Sequence, residues 1–331
     1  MKQLIEGFVQ QLRRAVELGK SSTLTFPAVK YKNVVIAGMG ASGVAANLVQ
    51  TYVADKIRVP VLVRKNYVSP AFVDSETLYI AASFSGNTEE VIAGLKAAID
   101  SKATVCFITS GGELLHIAHQ NELPLILLPA SSELSRAHFM YSFVQMLYML
   151  YYAGLLRDDF KVELEQSISL LEEQAGSIKV QASALASALA GKLPAIYAGN
   201  LFEPVALRLQ QQINTNSKQL CHVNVFPEMS HNEIEGFQHP EQLLKHLVIL
   251  LIKSDYDHPR VHLGMDFCKK VFAQKVENVL EIKALGATFL EQVFYLVHMF
   301  DWISVYLAEL NDVDTNATDN IDYLRNKFSE E

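Results

Sequence analysis

Asn33-Val34-Val35-Ile36-Ala37-Gly38-Met39-Gly40-Ala41-Ser42-Gly43 is a β-branched run that stops in a glycine-rich turn, and helical spacing follows from Val44 to about Val53. A short apolar run that ends in glycines and passes directly into a helix reads as the opening of a βαβ unit. The same grammar recurs downstream. Val59 to Arg64 is a second short strand, and Thr77 to Ala82 a third, closed by Ser83-Phe84-Ser85-Gly86-Asn87-Thr88 and a helix with Glu89 and Glu90 in its first turn. Thr104 to Thr109 and Leu125 to Leu128 add two more strands around a helical stretch from Glu113 to Gln120. Strands alternating with helices at this pitch predict an α/β fold with a parallel sheet covered on both faces.

From Arg136 to Leu156 the chain is apolar nearly all round a helix, which predicts a helix buried in a core or a subunit contact, and a homodimer is the natural expectation. Residues 158 to 192 read as helix, with Leu164, Ile168, Leu171, Leu185 and Leu189 at helical spacing. Alternation then resumes: Ala195-Ile196-Tyr197-Ala198-Gly199-Asn200 is again a strand ending in glycine, followed by a helix through Gln210 to Ile213. Leu247 to Ile252 and Val279 to Lys283 supply further strands, and Phe289 to Leu310 a long apolar helix. Two halves that each open on a Gly-terminated strand suggest an internal duplication. The expected division is 1–157, 158–310 and a tail, 311–331, holding a short helix that ends in Leu324, Arg325 and Lys327.

Among 331 residues, 28 Lys and Arg stand against 36 Asp and Glu, a net charge of −8, with no block of like charges. General binding to nucleic acid or to an anionic membrane is thereby disfavoured. Cys106, Cys221 and Cys268 are isolated and odd in number, so local spacing builds neither a disulfide framework nor a zinc knuckle. Met1 to Arg14 lacks the uninterrupted apolar core of a signal peptide, and Phe139 to Leu156 is broken by Ser142, Gln145 and Gly154 and falls short of a bilayer span. A soluble protein of the reducing cytoplasm is expected.

Gly38-Met39-Gly40-Ala41-Ser42-Gly43 matches the dinucleotide pattern G-x-G-x-x-G, so a nicotinamide enzyme must be weighed. The following strand ends Val63-Arg64-Lys65-Asn66, with no acidic residue for a ribose hydroxyl, although Arg64 would suit a 2′-phosphate. An NADP oxidoreductase stays open on that ground. The second turn points elsewhere: Ser83, Ser85 and Thr88, with Ser42 from the first turn, offer neutral hydroxyls at strand ends where helix N-termini present unpaired N–H groups to an anion. A phosphate monoester fits such a cradle even in an acidic protein. The plainer alternative is that Asn87 or Thr88 caps its helix while Ser83 and Ser85 satisfy turn backbone; two such turns together favour the anion.

The two turns resemble the sugar isomerase (SIS) domain. Together with Ser135-Arg136-Ala137, Pro227-Glu228-Met229-Ser230-His231-Asn232-Glu233 and Asp301-Trp302-Ile303-Ser304-Val305-Tyr306-Leu307-Ala308, in order over nearly the whole chain, they resemble the bifunctional phosphoglucose/phosphomannose isomerases. The resemblance implies two SIS-type domains in tandem (flavodoxin-like, parallel sheet, three-layer αβα), the second within 158–310 after a helical connector. It implies a homodimer whose active sites are shared across the interface, and interconversion of glucose 6-phosphate or mannose 6-phosphate with fructose 6-phosphate, with no cofactor and no metal. Carried over position by position, Gly40, Ala41, Ser42, Ser83, Ser85 and Thr88 hold the phosphate, Arg136 stabilises the enediolate, and His231 of the partner subunit opens the sugar ring.

Those roles are chemically apt. Removing the proton at C2 leaves a negative enediolate oxygen, and a fixed guanidinium stabilises it more in the transition state than in the substrate. Ring opening moves a proton between sugar oxygens, which suits an imidazole. Each residue has an ordinary alternative: an ion pair for Arg136, and for His231 the first turn of a helix, since Ser230 to Glu233 spells a capping box with Glu233 as its cap.

Two positions depart from the family pattern. In Asn214-Thr215-Asn216-Ser217-Lys218, Thr215 stands where the family has the glutamate base, and Arg325, or else Lys327, stands where it has a lysine near the C-terminus. A threonine hydroxyl does not take a carbon-bound proton near neutral pH unaided, and arginine stays cationic without shuttling a proton. The alanine at position 41 replaces a more usual glycine. Two functions follow: an isomerase in which Glu228, Glu233 or a water held by Thr215 supplies the base, or a non-catalytic phosphosugar-binding protein.

Overall fold

The computed structural model describes residues 1–129 and 134–330. They form two compact units, one of Glu6–Glu172 with Thr288–Glu291, the other of Met1–Ile5, Glu173–Ala287 and Gln292–Glu331. The helix Asp159–Leu189 is continuous through the division near residue 172, and the tail after 310 clusters with the second sheet.

In the amino-terminal unit β1 (Asn33–Ala37), β2 (Val61–Arg64), β3 (Thr77–Ala82), β4 (Thr104–Thr109) and β5 (Leu125–Leu127) form one parallel sheet in the order β2-β1-β3-β4-β5. Alternate residues of a strand face opposite sides. Val35, Ala37, Tyr79, Ala81, Val105 and Phe107 pack with Val91, Leu95, Ala98 and Leu114 of the helices Glu89–Asp100 and Gly112–Gln120. The other face carries the helices Phe8–Ser21, Gly40–Val53 and Phe139–Tyr152. With both faces covered, the strands need apolar residues at every position, and all six residues of β3 are buried.

The helix expected over 136–156 is shorter. Ser135–His138 is a 3₁₀ turn, and the α-helix runs Phe139–Tyr152, with every residue from Phe139 to Leu150 buried in this unit. Gly154 ends it in the left-handed region at φ +74°, letting the Leu155 N–H close on the Leu150 carbonyl at 2.9 Å. The strand expected from Val59 begins at Val61, because Pro60 has no N–H for the ladder and contributes only its carbonyl, to Val34.

In the carboxy-terminal unit β6 (Leu193–Gly199), β7 (His222–Phe226), β8 (Leu247–Lys253) and β9 (Asn278–Lys283) pair in parallel in the order β7-β6-β8-β9. Both sheets therefore place their second strand, first strand, third and fourth side by side, which is the topology a duplication leaves. One face packs Tyr197, Phe226, Ile249 and Leu251 against Met265, Cys268 and Phe272 of the helix Pro259–Phe272. The helix Phe289–Leu310 is long and apolar enough to cross a membrane by length and composition, yet 83% of its apolar window is buried. Its Asp301 is held at 2.9 Å by buried Arg208 and at 2.8 Å by Gln212. At the end of β6 a Cβ on Gly199 would fall 1.9 Å from Asp257 Oδ1, and Asp257 Oδ2 accepts the Ser254 N–H at 3.0 Å.

Candidate active site

The first reversal of strand order lies between β1 and β3, whose C-terminal ends are neighbours, and this is where an open α/β sheet forms its ligand crevice. Both singled-out turns leave the sheet there. Gly38 closes β1, and Gly40 takes φ +51° to start the helix Gly40–Val53. A Cβ on Gly43 would lie 2.7 Å from the Gly38 carbonyl oxygen, so the turn is as tight as glycine permits. The first ladder bond of the turn is Gly43 N–H to Met39 C=O, leaving the N–H groups of Gly40, Ala41 and Ser42 ahead of it at the helix's positive end. The Ser42 hydroxyl lies 3.2 Å from that of Ser142 in the interior. What Ser42 offers the crevice is its backbone.

In the second turn Ser83 Oγ lies 2.7 Å from Thr88 Oγ1 and 3.5 Å from Ser85 Oγ, so the three hydroxyls converge. Ser83 also accepts the Gly86 N–H and Ser85 the Asn87 N–H, so the turn is self-organised as well as hydroxyl-lined. Thr88 stands before the first residue of Glu89–Asp100 without a side-chain cap bond. Asn87 instead reaches across to the Glu113 N–H at 2.9 Å. The neighbouring strand's loop locks the turn: Phe84 C=O accepts from Ser110 N–H and hydroxyl, and Gly86 C=O from the Leu114 N–H. Gly86, at φ +73°, sits so close to Gly111 that a Cβ would fall 1.8 Å from its carbonyl oxygen.

Arg136 is part-buried on the 3₁₀ turn Ser135–His138, which packs on the helix Gly40–Val53 in the same unit. Two residues on, His138 stacks on Phe84 of the second turn, ring centroids 4.9 Å apart and planes within 6°. Burial lowers the His138 pKa, which keeps the imidazole neutral. The stack ties the Arg136 turn to the hydroxyl-lined one. Sequence reasoning missed His138, whose only signal is its place two residues after Arg136.

The other predicted residues lie in the carboxy-terminal unit. Thr215 is part-buried near the end of the helix Glu203–Asn216, where its carbonyl accepts from Lys218 Nζ at 2.5 Å. Lys218 also donates to Ala317 C=O at 2.6 Å, fastening the segment ahead of the helix Asp319–Glu330. That helix carries Arg325, exposed and 3.6 Å from Asp322, and Lys327, paired with Glu330 at 2.6 Å. It extends past the predicted end at Lys327.

His231 is exposed at the end of a 3₁₀ turn, Glu228–His231, that follows β7. The predicted capping box does not form. Asn232, not Ser230, accepts the Glu233 N–H at 2.6 Å, while its Nδ2 donates to Glu228 Oε1 at 3.1 Å. Glu233 is no cap either. Its carboxylate accepts from the Tyr197 hydroxyl at 2.5 Å, lies 2.8 Å from His222 Nε2, and accepts from Asn224 Nδ2. Burial alone would raise this carboxyl, but the bonds from His222, Tyr197 and Asn224 outweigh it and hold the pKa at about 2. The same contact raises the His222 pKa against partial burial.

Among the described residues no three His, Cys, Asp or Glu side chains converge as metal ligands. Two parallel sheets of the same strand order, with two glycine-bearing turns at the switch point of the first, define an α/β fold of SIS type, and residues 178–328 match the bacterial phospho-glucose isomerase C-terminal SIS domain. The chain is 34% identical over 340 residues to the bifunctional phosphoglucose/phosphomannose isomerase of Caldicellulosiruptor bescii, covering 100% of this chain and 99% of that one. It is 31% identical to the like-named enzyme of Aquifex aeolicus, over 98% and 97% of the two chains. The C-terminal domain of glucosamine-fructose-6-phosphate aminotransferase from Francisella tularensis shares the fold at TM-score 0.75 and 16% identity, over 95% of this chain and 97% of that one. This chain belongs to the bifunctional phosphoglucose/phosphomannose isomerase family.

Proposed function

We propose that the protein interconverts glucose 6-phosphate or mannose 6-phosphate with fructose 6-phosphate through an enediolate. One observation carries the reading: two turns bearing Ser83, Ser85, Thr88 and the free N–H groups of Gly40 to Ser42 leave adjacent strands at the strand-order reversal. Hydroxyls and helix ends supply the attraction for the phosphoryl end there. Arg136, on the 3₁₀ turn tied to the hydroxyl-lined one through the His138–Phe84 stack, serves to stabilise the developing oxyanion. His231, exposed on an anchored turn, serves ring opening in the other subunit of a homodimer. Three buried, free cysteines accord with a reducing cytoplasm.

The base is the open role, and one of its three candidates drops out. A carboxyl held at about 2 by three donors, as in Glu233, is a poor proton acceptor near neutral pH. Glu228, exposed and bonded by Asn232, and a water held by Thr215 are left. A non-catalytic binder is the weaker reading, because the full-length relatives are named isomerases. Glucose 6-phosphate should raise the melting temperature, Ser85→Ala should shrink that shift, and NADP should give none; the reverse pattern refutes the ligand class. Fructose 6-phosphate in heavy water should gain deuterium at C1. Loss of that label in Glu228→Gln assigns the base, and Thr215→Glu should speed labelling.

A further inference from the structure

The carboxylate of Glu233 is held by three side chains, and no step of the reaction uses it. Its three partners come from two adjacent strands, Tyr197 from β6 and His222 and Asn224 from β7. The residue they hold lies on the stretch that leaves β7 at Phe226 and doubles back along the sheet edge. His231 stands between two anchors there. Upstream, Met229 is fully buried in the apolar cluster of the second sheet. Downstream, Asn232 is bonded to Glu228 on one side and to the Glu233 backbone on the other, and Phe237 packs its ring 4.6 Å from Phe272. The backbone that carries this exposed imidazole is therefore fixed on both sides.

We infer that Glu233 is a positioning residue for His231: the Tyr197–His222–Asn224 cradle pins the returning strand-edge segment so that the imidazole is presented in one place. The inference rests on the reading of His231 as the ring-opening group. Losing the pin lets the segment swing, and a displacement near 1 Å at a proton-transferring group costs on the order of tenfold to a hundredfold in rate. A purely structural role would lower the melting temperature without touching ring chemistry.

The readout is the enzyme-catalysed exchange between α and β anomers of glucose 6-phosphate, followed by NMR magnetisation transfer. It reports ring opening alone and is indifferent to which group moves the C1–C2 proton. In the full-length protein His231→Ala should abolish the catalysed exchange, and Glu233→Ala should slow it about tenfold or more with the affinity for glucose 6-phosphate kept. Glu233→Gln, which retains an acceptor oxygen for Tyr197 and Asn224, should recover much of the rate. If Glu233→Ala exchanges within about twofold of the parent while His231→Ala does not, the positioning role is wrong and the ring-opening assignment survives. Exchange unaffected by His231→Ala removes that assignment and this inference with it. Where Glu233→Ala does not fold, Tyr197→Phe and Asn224→Ala, each of which removes one bond of the cradle, decide by the same criterion.

Discussion

Glu233 also makes acid sensitivity a local property. Its carboxyl sits at about 2 in the fold against an ordinary 4.5, so the stability it contributes is complete above about pH 4.5 and is lost as pH falls toward 2. His222 runs the other way: its raised pKa contributes stability below the ordinary 6.5, lost as pH rises through the folded value. The pin is strongest between those limits. In urea unfolding, Glu233→Gln should therefore cost most near about pH 5 to 6, on the order of 1–2 kcal/mol once partial exposure is allowed for, and converge with the parent near about pH 2. The convergence of the Ser83, Ser85 and Thr88 hydroxyls was legible in the sequence because their spacing is local. Glu233 was not, because S-x-x-E is a local signal while its partners stand 36, 11 and 9 residues earlier, on strands.

The strands and helices were legible wherever apolar periodicity runs uninterrupted, and Phe289–Leu310 begins and ends as its pattern says. Boundaries shifted where single residues override periodicity, as Pro60 and Gly154 do. The two turns of the cradle differ in how glycine serves them. A Cβ on Gly40 would meet open space, so Gly40→Ala carries only the strain of a left-handed residue, about 1 kcal/mol. At Gly86 a methyl would drive into the Gly111 carbonyl and force apart the two loops that brace the hydroxyls. Gly86→Ala should then lose about 2 kcal/mol or more and most of its affinity for glucose 6-phosphate, whereas Gly40→Ala should keep the larger part of both. Melting curves with and without that ligand compare them directly.

For the whole molecule, the sequence anticipated two sheets of one design, and the repeated strand order supports the duplication. The expected cut after 157 differs from the division near 172 because one unbroken helix serves both units, and periodicity within a helix carries no mark of which core each turn joins. The shared-site reading has a population-level consequence. Arg136→Ala and His231→Ala homodimers should each be inactive; after subunit exchange at equal concentration, half the dimers are mixed and each holds one intact site, restoring about a quarter of parental turnover. Continued inactivity of a verified mixture would mean that each site is built from one chain.

Duplicating a receptor ordinarily doubles what it can hold. In the second copy the mouth beside β6 is stoppered by the protein's own negative charge: Asp257 rests against Gly199, with Ser254 donating to it, where the first copy leaves bare amides. A phosphoryl group arriving there would meet a like charge in an occupied seat. On the shared-site reading each chain keeps a single vacancy for its sugar, and its second half serves as the bracket on which His231 is mounted for the neighbouring one.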